Sequence, residues 1–451
     1  MLSGALLDRV LLISAALGVA VIGFLVLRRS PKLAVATWIV VLCFVPIWAG
    51  FGVGFNGNYY LPPATAAALL VVAALLPIKG FRLSWLDALM TLVVVAALCS
   101  ILVGNAGIAL GAAIIVVTYF VAGYVVGRVA PLRVDPAWVH GAIAVCFTVV
   151  AVLAIIEGLT HWNPFVELKV GNSLYSIWGT IQERGGVPRA EGAFGHSIAL
   201  GASLAMAVPI TLASPFRLWV RCAMVLAMLV ASVYTFSRIG MICALLGVAL
   251  SVLFMRDAIS RRARIALTSG VLIVSAVLFP LVSAVFDDAG AEASDSATYR
   301  ADLTSLFGTM NLVGVAQSAE KNSAGSLYFG NFRSIDSQLI LTGLTNGLIV
   351  LIAVVVALVF GILLVLRGKA SPATIALVAQ IPAFATVALI TQYSIFVWFV
   401  AGLAATTQLA PDANRPLVLG RPARRPEPAL VSAPTPSQAS APAPSPAPRS
   451  L

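Results

Sequence analysis

Read from its N-terminus, the chain places its apolar residues in long runs separated by short polar breaks. The runs fall at approximately 10–27, 33–49, 61–78, 85–103, 107–127, 136–156, 197–213, 218–236, 239–255, 265–286, 338–366, 373–390 and 393–409. Most reach the roughly 17 to 25 residues a helix needs to cross about 30 Å of hydrocarbon, and the ten-residue alternation of a membrane barrel strand is missing. The pattern predicts an all-α fold: a polytopic transmembrane helical bundle of about 12–13 spans with two long extracytoplasmic loops, about 157–196 and about 287–337. No basic region precedes the first run, and Arg28, Arg29 and Lys32 follow it. It therefore reads as a reverse-oriented first span rather than a cleaved leader.

Composition supports the class: 60% of residues are hydrophobic, 10% are charged, and mean hydropathy is +1.02. The formal charge of +11 is spread over loops and tail, which argues for membrane topology and against a nucleic-acid partner. With the N-terminus outside, the short loops RRSPK (28–32), KGFR (79–82) and RDAISRRAR (256–264) fall inside, as do Arg128, Arg133, Arg217, Arg221, RGK (367–369) and the tail. That alternation puts all but eight of the 28 Lys and Arg on the cytoplasmic side. Most acids run the other way, among them Glu157, Glu191, Asp287, Asp288, Asp302 and Asp336. Polar chemistry is concentrated outside. Cys43, Cys99, Cys146, Cys222 and Cys243 all lie in apolar runs, so neither a disulfide framework nor a thiolate metal site is expected.

Within the second long loop, Leu303, Leu306, Phe307 and Met310 recur at amphipathic helical spacing, with Arg300 in the first turn and Ser294 or Ser296 placed to cap. Two domains result: a membrane domain, 1–410, and a Pro- and Ala-rich cytoplasmic tail, 411–451, whose composition cannot bury a core and reads as disordered. The span centres are essentially uncharged, unlike those of ion-coupled transporters. Asp87, His140 and Arg221 sit near the inner ends, where interfacial burial is the ordinary explanation.

Eight cations remain outside. Arg9, Lys169, Arg184, Lys321 and Arg333 read as loop or terminus charges. Arg189, Arg238 and Arg300 occupy more defined settings. Arg189 opens RAEGAFGHSIALG (189–201), whose Gly192, Gly195 and Gly201 permit tight turns and close helix contact, and Arg238 lies in TFSRIG (235–240) between two short spans. Trp162, Tyr175 and Trp178 in the first long loop read as interfacial belt residues.

Residues 185–345 resemble the O-antigen ligase and polymerase family of integral-membrane glycosyltransferases. The resemblance rests on Arg189, Gly192, Phe194, Gly195 and His196 in a first motif, on Ser237, Arg238 and Gly240 in a second, and on the long loop that follows. Ser197 and Ile198 stand where the family usually has Pro and Asn, and Ile239 separates Arg238 from Gly240. The resemblance implies transfer of a glycan from a polyprenyl-diphosphate carrier to a hydroxyl on a glycan, lipid or protein acceptor, at the outer face of a bacterial cytoplasmic membrane. The chain holds no His/Cys cluster, so neither a cofactor nor a metal is expected. Arg189, Arg238 and Arg300 would bind the diphosphate, since guanidinium groups grip phosphate oxygens bidentately.

A base must take the acceptor's proton. The family's ligase branch typically uses a histidine late in the large loop, but here no histidine follows His196. Asp336, in RSIDSQLILTG (333–343), is one candidate, with a helix N-cap as its alternative role. His196 is the other, with an interfacial, backbone-bonded role as its alternative. Arg189 and Arg238 could instead pair with Glu191 or Asp302, and Glu191 otherwise reads as a solvated loop acid. The adjacent Asp287 and Asp288 read as a solvated loop rather than a divalent-ion site. Two rival functions use the same features: a transporter or exporter of a lipid-linked glycan, and a scaffold of an envelope-assembly complex recruited through the tail.

Overall fold

The computed structural model describes residues 18, 20–53, 59–103, 106–255, 261–288, 299, 302–321 and 327–409. All lie in the first of two compact units, Met1–Leu417; the second, Val418–Leu451, lies outside the described residues, as does the whole tail from 411. Arg300, Ser294 and Ser296 are also outside them, as are the side chains of Asp287 and Asp288.

Apolar runs become helices because a helix satisfies every backbone N–H and C=O within one segment. The helices are α1 (Pro31–Phe44), α2 (Pro63–Leu75), α3 (Trp85–Val103) and α4 (Ala106–Ile115), which continues through a π-turn at Val116–Val121 into α5 (Ala122–Arg133). They continue with α6 (Pro136–Thr160), α7 (Ser173–Trp178), α8 (Ser197–Leu212), α9 (Leu218–Tyr234), α10 (Arg238–Phe254) and α11 (Arg261–Asp288). The last are α12 (Gln338–Asn346), α13 (Leu348–Leu366), α14 (Pro372–Ala379), α15 (Ile381–Thr386) and α16 (Thr391–Gln408). Among the described residues, four stretches are long and apolar enough to cross a membrane: Trp85–Leu102, Gly107–Arg133, Pro136–Thr160 and Leu348–Leu366. The shorter apolar helices have 10–17 residues. Among the described residues, three small antiparallel hairpins ornament the bundle: β1 (Phe51–Val53) with β2 (Tyr59–Leu61), β3 (Glu183–Arg184) with β4 (Val187–Pro188), and β5 (Ala319–Lys321) with β6 (Leu327–Phe329).

At the centre stands α8, in which every residue except Ile198 is buried. Its Ala, Gly and Ser positions let neighbours approach closely. A Cβ on Gly240 of α10 would sit 3.1 Å from the backbone of Gly201, so the two helices cross at glycine on both sides. That crossing fixes the start of α10, where Arg238 lies.

Three expectations are corrected. The run 338–366, which reads as one span, breaks at Gly347 (φ 96°) into α12 and α13; a Cβ there would meet the Leu312 carbonyl at 2.6 Å. The helix expected from Leu303 to Met310 is a 3₁₀ segment, Leu303–Thr309. Three residues per turn put Leu303 and Leu306 together in a small core with Ile108, Phe329 and Leu344, and turn Phe307 outward. The first long loop starts later than expected, because α6 runs on to Thr160 and carries Glu157 within it.

Hydrogen bonds define the two ends of the bundle. At one end Arg128 of α5 ties Asp87 of α3 to Thr406 of α16, and the Gln408 amide donates to the Lys369 carbonyl. At the other end the 157–196 segment folds back over the helix termini. There Trp48 donates to the Leu168 carbonyl, Ala190 N–H to the Tyr234 carbonyl, and the buried Gln392 amide to the Ala193 carbonyl at 2.7 Å.

Candidate functional site

The first motif takes its shape from a two-residue hairpin. Gly185 and Gly186 both have positive φ, 54° and 71°, the geometry of a type I′ turn that favours glycine at both positions. The turn pairs Arg184 with Val187 and Glu183 with Pro188 and lays the hairpin across the α9–α10 junction. Arg189 Nε donates to the Thr235 carbonyl at 3.0 Å, and Arg184 Nη1 donates to the next carbonyl, Phe236, at 2.9 Å. Two guanidinium groups thus hold consecutive carbonyls of one turn. Phe236, buried at φ 44°, forces the chain to reverse there, and Ser237 caps α10 by accepting from Gly240 N–H at 3.1 Å. Arg238 follows, exposed in the first turn of α10. Three residues of extended chain span at most about 11 Å, so Arg238 stays within that reach of the carbonyl Arg189 grips.

Arg189 and Arg238 therefore come together at one turn, and Arg184, which reads as a plain loop charge in the sequence, joins them. The signal for Arg184 was present in the Gly-Gly pair beside it, since a hairpin there carries residue 184 back toward residue 189. Arg300 lies outside the described residues.

Behind the arginines are two acids. Glu191 is 0% exposed, which corrects its reading as a solvated loop acid, and Glu157 is 5% exposed. Glu157 receives three N–H donors: Asn163 Nδ2 at 2.8 Å, Glu191 N at 3.1 Å and Gly192 N at 2.9 Å. It closes the 189–192 segment onto the end of α6. Glu191 Oε1 accepts from Gln182 N–H at 3.0 Å, while its buried Oε2 has no hydrogen-bond partner among the described residues. Burial, together with the negative charge of Glu157, pushes the Glu191 carboxyl up to about 8, against the Gln182 N–H and Arg189, which pull it down. At neutral pH it holds its proton.

His196 caps α8: its Nδ1 accepts from Ile198 N–H at 3.1 Å, and its ring meets Trp178 edge-on at 5.7 Å. Burial first, and the Arg189 charge second, hold the ring at about 4, so it is neutral at pH 7. A neutral imidazole whose Nδ1 accepts carries its proton on Nε2. As placed, His196 offers a donor, and use as a base requires the cap bond to break first. Because the folded value lies below the unfolded 6.5, the ring's contribution to stability is complete above pH 6.5 and is lost as pH falls through 4. His196→Asn keeps the cap without titrating. Thermal unfolding across that window should show the variant gaining on the wild type by on the order of 2 kcal/mol toward pH 4.

Asp336 is half-buried and accepts from Ser334 Oγ at 2.8 Å. The cap of α12 is Ser337, which accepts from Ile340 N–H, so Asp336 is left off the cap. It approaches the arginine end through 387–392: Gln338 N–H donates to the Val387 carbonyl and Leu389 N–H to the Gln338 side chain, three residues before the Gln392 that holds Ala193. Of the aromatic residues, Tyr175 hydrogen-bonds the Val166 carbonyl and Trp178 packs on His196, both inside the folded segment, whereas Trp162 is 57% exposed.

A separate apolar cleft of about 130 Å³ runs between α3, α13 and α16. Trp85 and Gln408 line one end and Gln338 and Asn346 the other, with Phe120, Leu358 and Trp398 between. The Asn346 Oδ1 in it is buried and has no hydrogen-bond partner among the described residues.

No protein-family model matches this chain, and no curated protein matches it. Function must be read from the side chains and their geometry.

Proposed function

We propose that this chain is an integral-membrane glycosyltransferase of the O-antigen ligase or polymerase type, moving a glycan from a polyprenyl-diphosphate carrier to an acceptor hydroxyl at the outer face of a bacterial cytoplasmic membrane. The observation that carries this reading is the turn 235–238, whose carbonyls are held by Arg184 and Arg189 and which presents Arg238 at the start of α10. In the transfer, the bond between the anomeric carbon and the phosphate oxygen breaks as the acceptor oxygen attacks. Both electrons leave with the oxygen, and charge builds on the lipid diphosphate. Cations fixed beside those oxygens, with a helix N-terminus adjacent, stabilise that charge most where water is scarce. Arg189, Arg238 and Arg300 bind the diphosphate in this reading, with Arg184 bracing the turn. The acceptor's proton passes to Asp336, which the α12 cap leaves unused. The carrier's polyprenyl tail is matched by the apolar cleft along α13 and α16, whose polar end at Gln338 lies two residues from Asp336.

The test is reconstitution of the full chain in vesicles with a polyprenyl-diphosphate glycan and an acceptor. Wild type should release free polyprenyl diphosphate as the glycan appears on acceptor, and Arg238→Ala should do so at least tenfold more slowly. Passage of uncleaved carrier across the vesicle, with no released diphosphate under any acceptor, would establish an exporter instead.

A further inference from the structure

Beneath the turn 235–238 lies a cavity of about 150 Å³, enclosed by α9, α10 and α11. Leu229 and Ser232 line it from α9, Met241 from α10, and Val271, Ser275 and Phe279 from α11. A close contact sets its floor. A Cβ on Gly270 of α11 would stand 2.7 Å from Leu226 Cδ2 of α9, so the two helices touch there, and the lining begins just beyond, at Val271 and Leu229. Its upper end is the turn itself, since Ser232 and Met241 each stand three residues from it, about 4.5 Å at the α-helical rise. Phe279 and Leu245, which line its edge, are 67% and 44% exposed. Apolar side chains exposed on a membrane helix face hydrocarbon, so the cavity opens toward lipid.

One group in it asks for a ligand. Ser232 is 1% exposed, and its Oγ has no hydrogen-bond partner among the described residues. An enclosed hydroxyl without a partner is costly. A water would need roughly two to four polar partners, whereas the lining side chains are apolar apart from Ser232 and Ser275. An acceptor oxygen carried in by an otherwise apolar molecule meets the need, because a serine hydroxyl donates.

Length decides which apolar molecule. From Val271 to Phe279, α11 climbs about 12 Å, which fits within half of the roughly 30 Å of bilayer hydrocarbon. The cleft along α13 runs from Val350 to Leu364, about 21 Å, and so exceeds one leaflet. The longer groove suits a polyprenyl tail and the shorter cavity an acyl chain that ends in its own leaflet. A polyprenyl chain also has no oxygen beyond its phosphate and would leave Ser232 unsatisfied. An acyl ester carries its carbonyl at the top of the chain, at the level where Ser232 stands.

We propose that this cavity binds a glycerophospholipid from the leaflet that meets the turn: one acyl chain between α9, α10 and α11, its ester carbonyl on Ser232 Oγ, and its phosphate at the level of Arg238. Arg238 is exposed in the first turn of α10, and the helix N-terminus adds partial positive charge there. The site stands whether or not the chain transfers glycans. In the transfer reading, the phospholipid and the carrier's diphosphate meet at one turn and compete.

The experiment is titration of the delipidated full chain, in detergent, with phosphatidylglycerol and with its diether analogue, bound lipid being counted by native mass spectrometry. Wild type should bind the ester about three- to tenfold more tightly than the ether, which lacks the carbonyl. In Ser232→Ala the two should bind alike, and its thermal unfolding without lipid should match wild type, because the hydroxyl has no partner to lose. Equal affinities in wild type, or a preference that survives in Ser232→Ala, overturn the proposal; the wild-type comparison needs no variant to fold. Ser275→Trp fills the cavity from its exposed side and should abolish the tight site, and undiminished binding overturns it as well. Diacylglycerol with the same chains lacks the phosphate and should bind about threefold more weakly than phosphatidylglycerol, a difference that Arg238→Gln should erase. A difference that persists overturns the placement of the phosphate. Polyprenyl phosphate binding more tightly than phosphatidylglycerol, and being lost in Ser275→Trp, would make the cavity a carrier site instead.

Discussion

Replacing Arg189 with alanine should lower kcat/KM for glycan transfer by about two to three orders of magnitude. The side chain is 6% exposed, its Nε is bonded to the Thr235 carbonyl, and its segment is closed by Glu157, so it is fixed before any ligand arrives. Preorganised charge of this kind is what a developing anion rewards, since no reorganisation is left to be done in the transition state. Three further variants separate holding the turn from holding the anion. Arg189→Lys keeps the charge but not the planar fork, and should fall between wild type and alanine. Arg184→Ala removes the bond to the Phe236 carbonyl and should cost no more than about tenfold. Arg238→Ala should match Arg189→Ala in rate while leaving thermal stability near wild type, because Arg238 is exposed. The measurement is initial rate against carrier concentration for each purified variant. An Arg189→Ala protein that is folded and transfers within threefold of wild type would remove the arginine turn from the mechanism.

The largest effect on stability is expected at the opposite end of the bundle. Arg128 is 3% exposed and makes a two-pronged pair with Asp87, Nε to Oδ1 and Nη2 to Oδ2, both at 2.8 Å. Its remaining donors reach Thr406 Oγ1 at 2.6 Å and the Arg82 carbonyl at 2.7 Å, and the Phe81 ring lies 4.6 Å away. Asp87 is completed by Tyr124 OH at 2.6 Å and Ser84 N–H at 2.7 Å. Every charged atom has a partner, so α3, α5 and α16 are pinned together. Asp87→Ala strands a buried guanidinium and should cost about 3–5 kcal/mol. A well-packed apolar replacement of both partners, Asp87→Leu with Arg128→Met, should recover most of that loss, because it removes the desolvated charges along with their attraction. Unfolding in detergent, followed by heat or denaturant, checks both. A double variant no more stable than Asp87→Ala would mean that the pair's neighbours, rather than its charges, hold this end. Glycan transfer should survive in the double variant, since the pair lies at the other end from the arginine turn.

This pair shows where sequence reading stops. Asp87 and Arg128 lie 41 residues apart in sequence, and each reads as a charge near a helix end. Nothing in either local pattern says that they meet, because meeting depends on which faces α3 and α5 turn to each other. The burial of Glu157 and Glu191 is hidden from the sequence for the same reason. Glu191 falls among polar residues in a segment with no apolar period, where the usual inference is solvent, and Glu157 falls at the end of an apolar run, where the usual inference is a polar helix end. Their burial follows from the segment folding back on the bundle, where Glu157 supplies acceptors that the 191–192 main chain lacks locally. The motif glycines, by contrast, were legible. Gly192 and Gly195 do adopt positive φ, and Gly201 does meet a neighbouring helix closely, since glycine's allowed conformations are a local property.

The all-α class, the position of most helices and the apolar surfaces they share are legible in the chain's own pattern, because run length and hydropathy act through each segment's own backbone and its transfer from water. It also marked Arg189 and Arg238 as unusual. The folded bundle adds that Arg184 belongs with them, that two acids stand buried behind them, and that Ser337 rather than Asp336 caps α12. Those outcomes turn on hydrogen bonds between segments far apart in the chain. Such bonds form where packing has already excluded water, and their partners are set by the whole bundle rather than by any one run of residues.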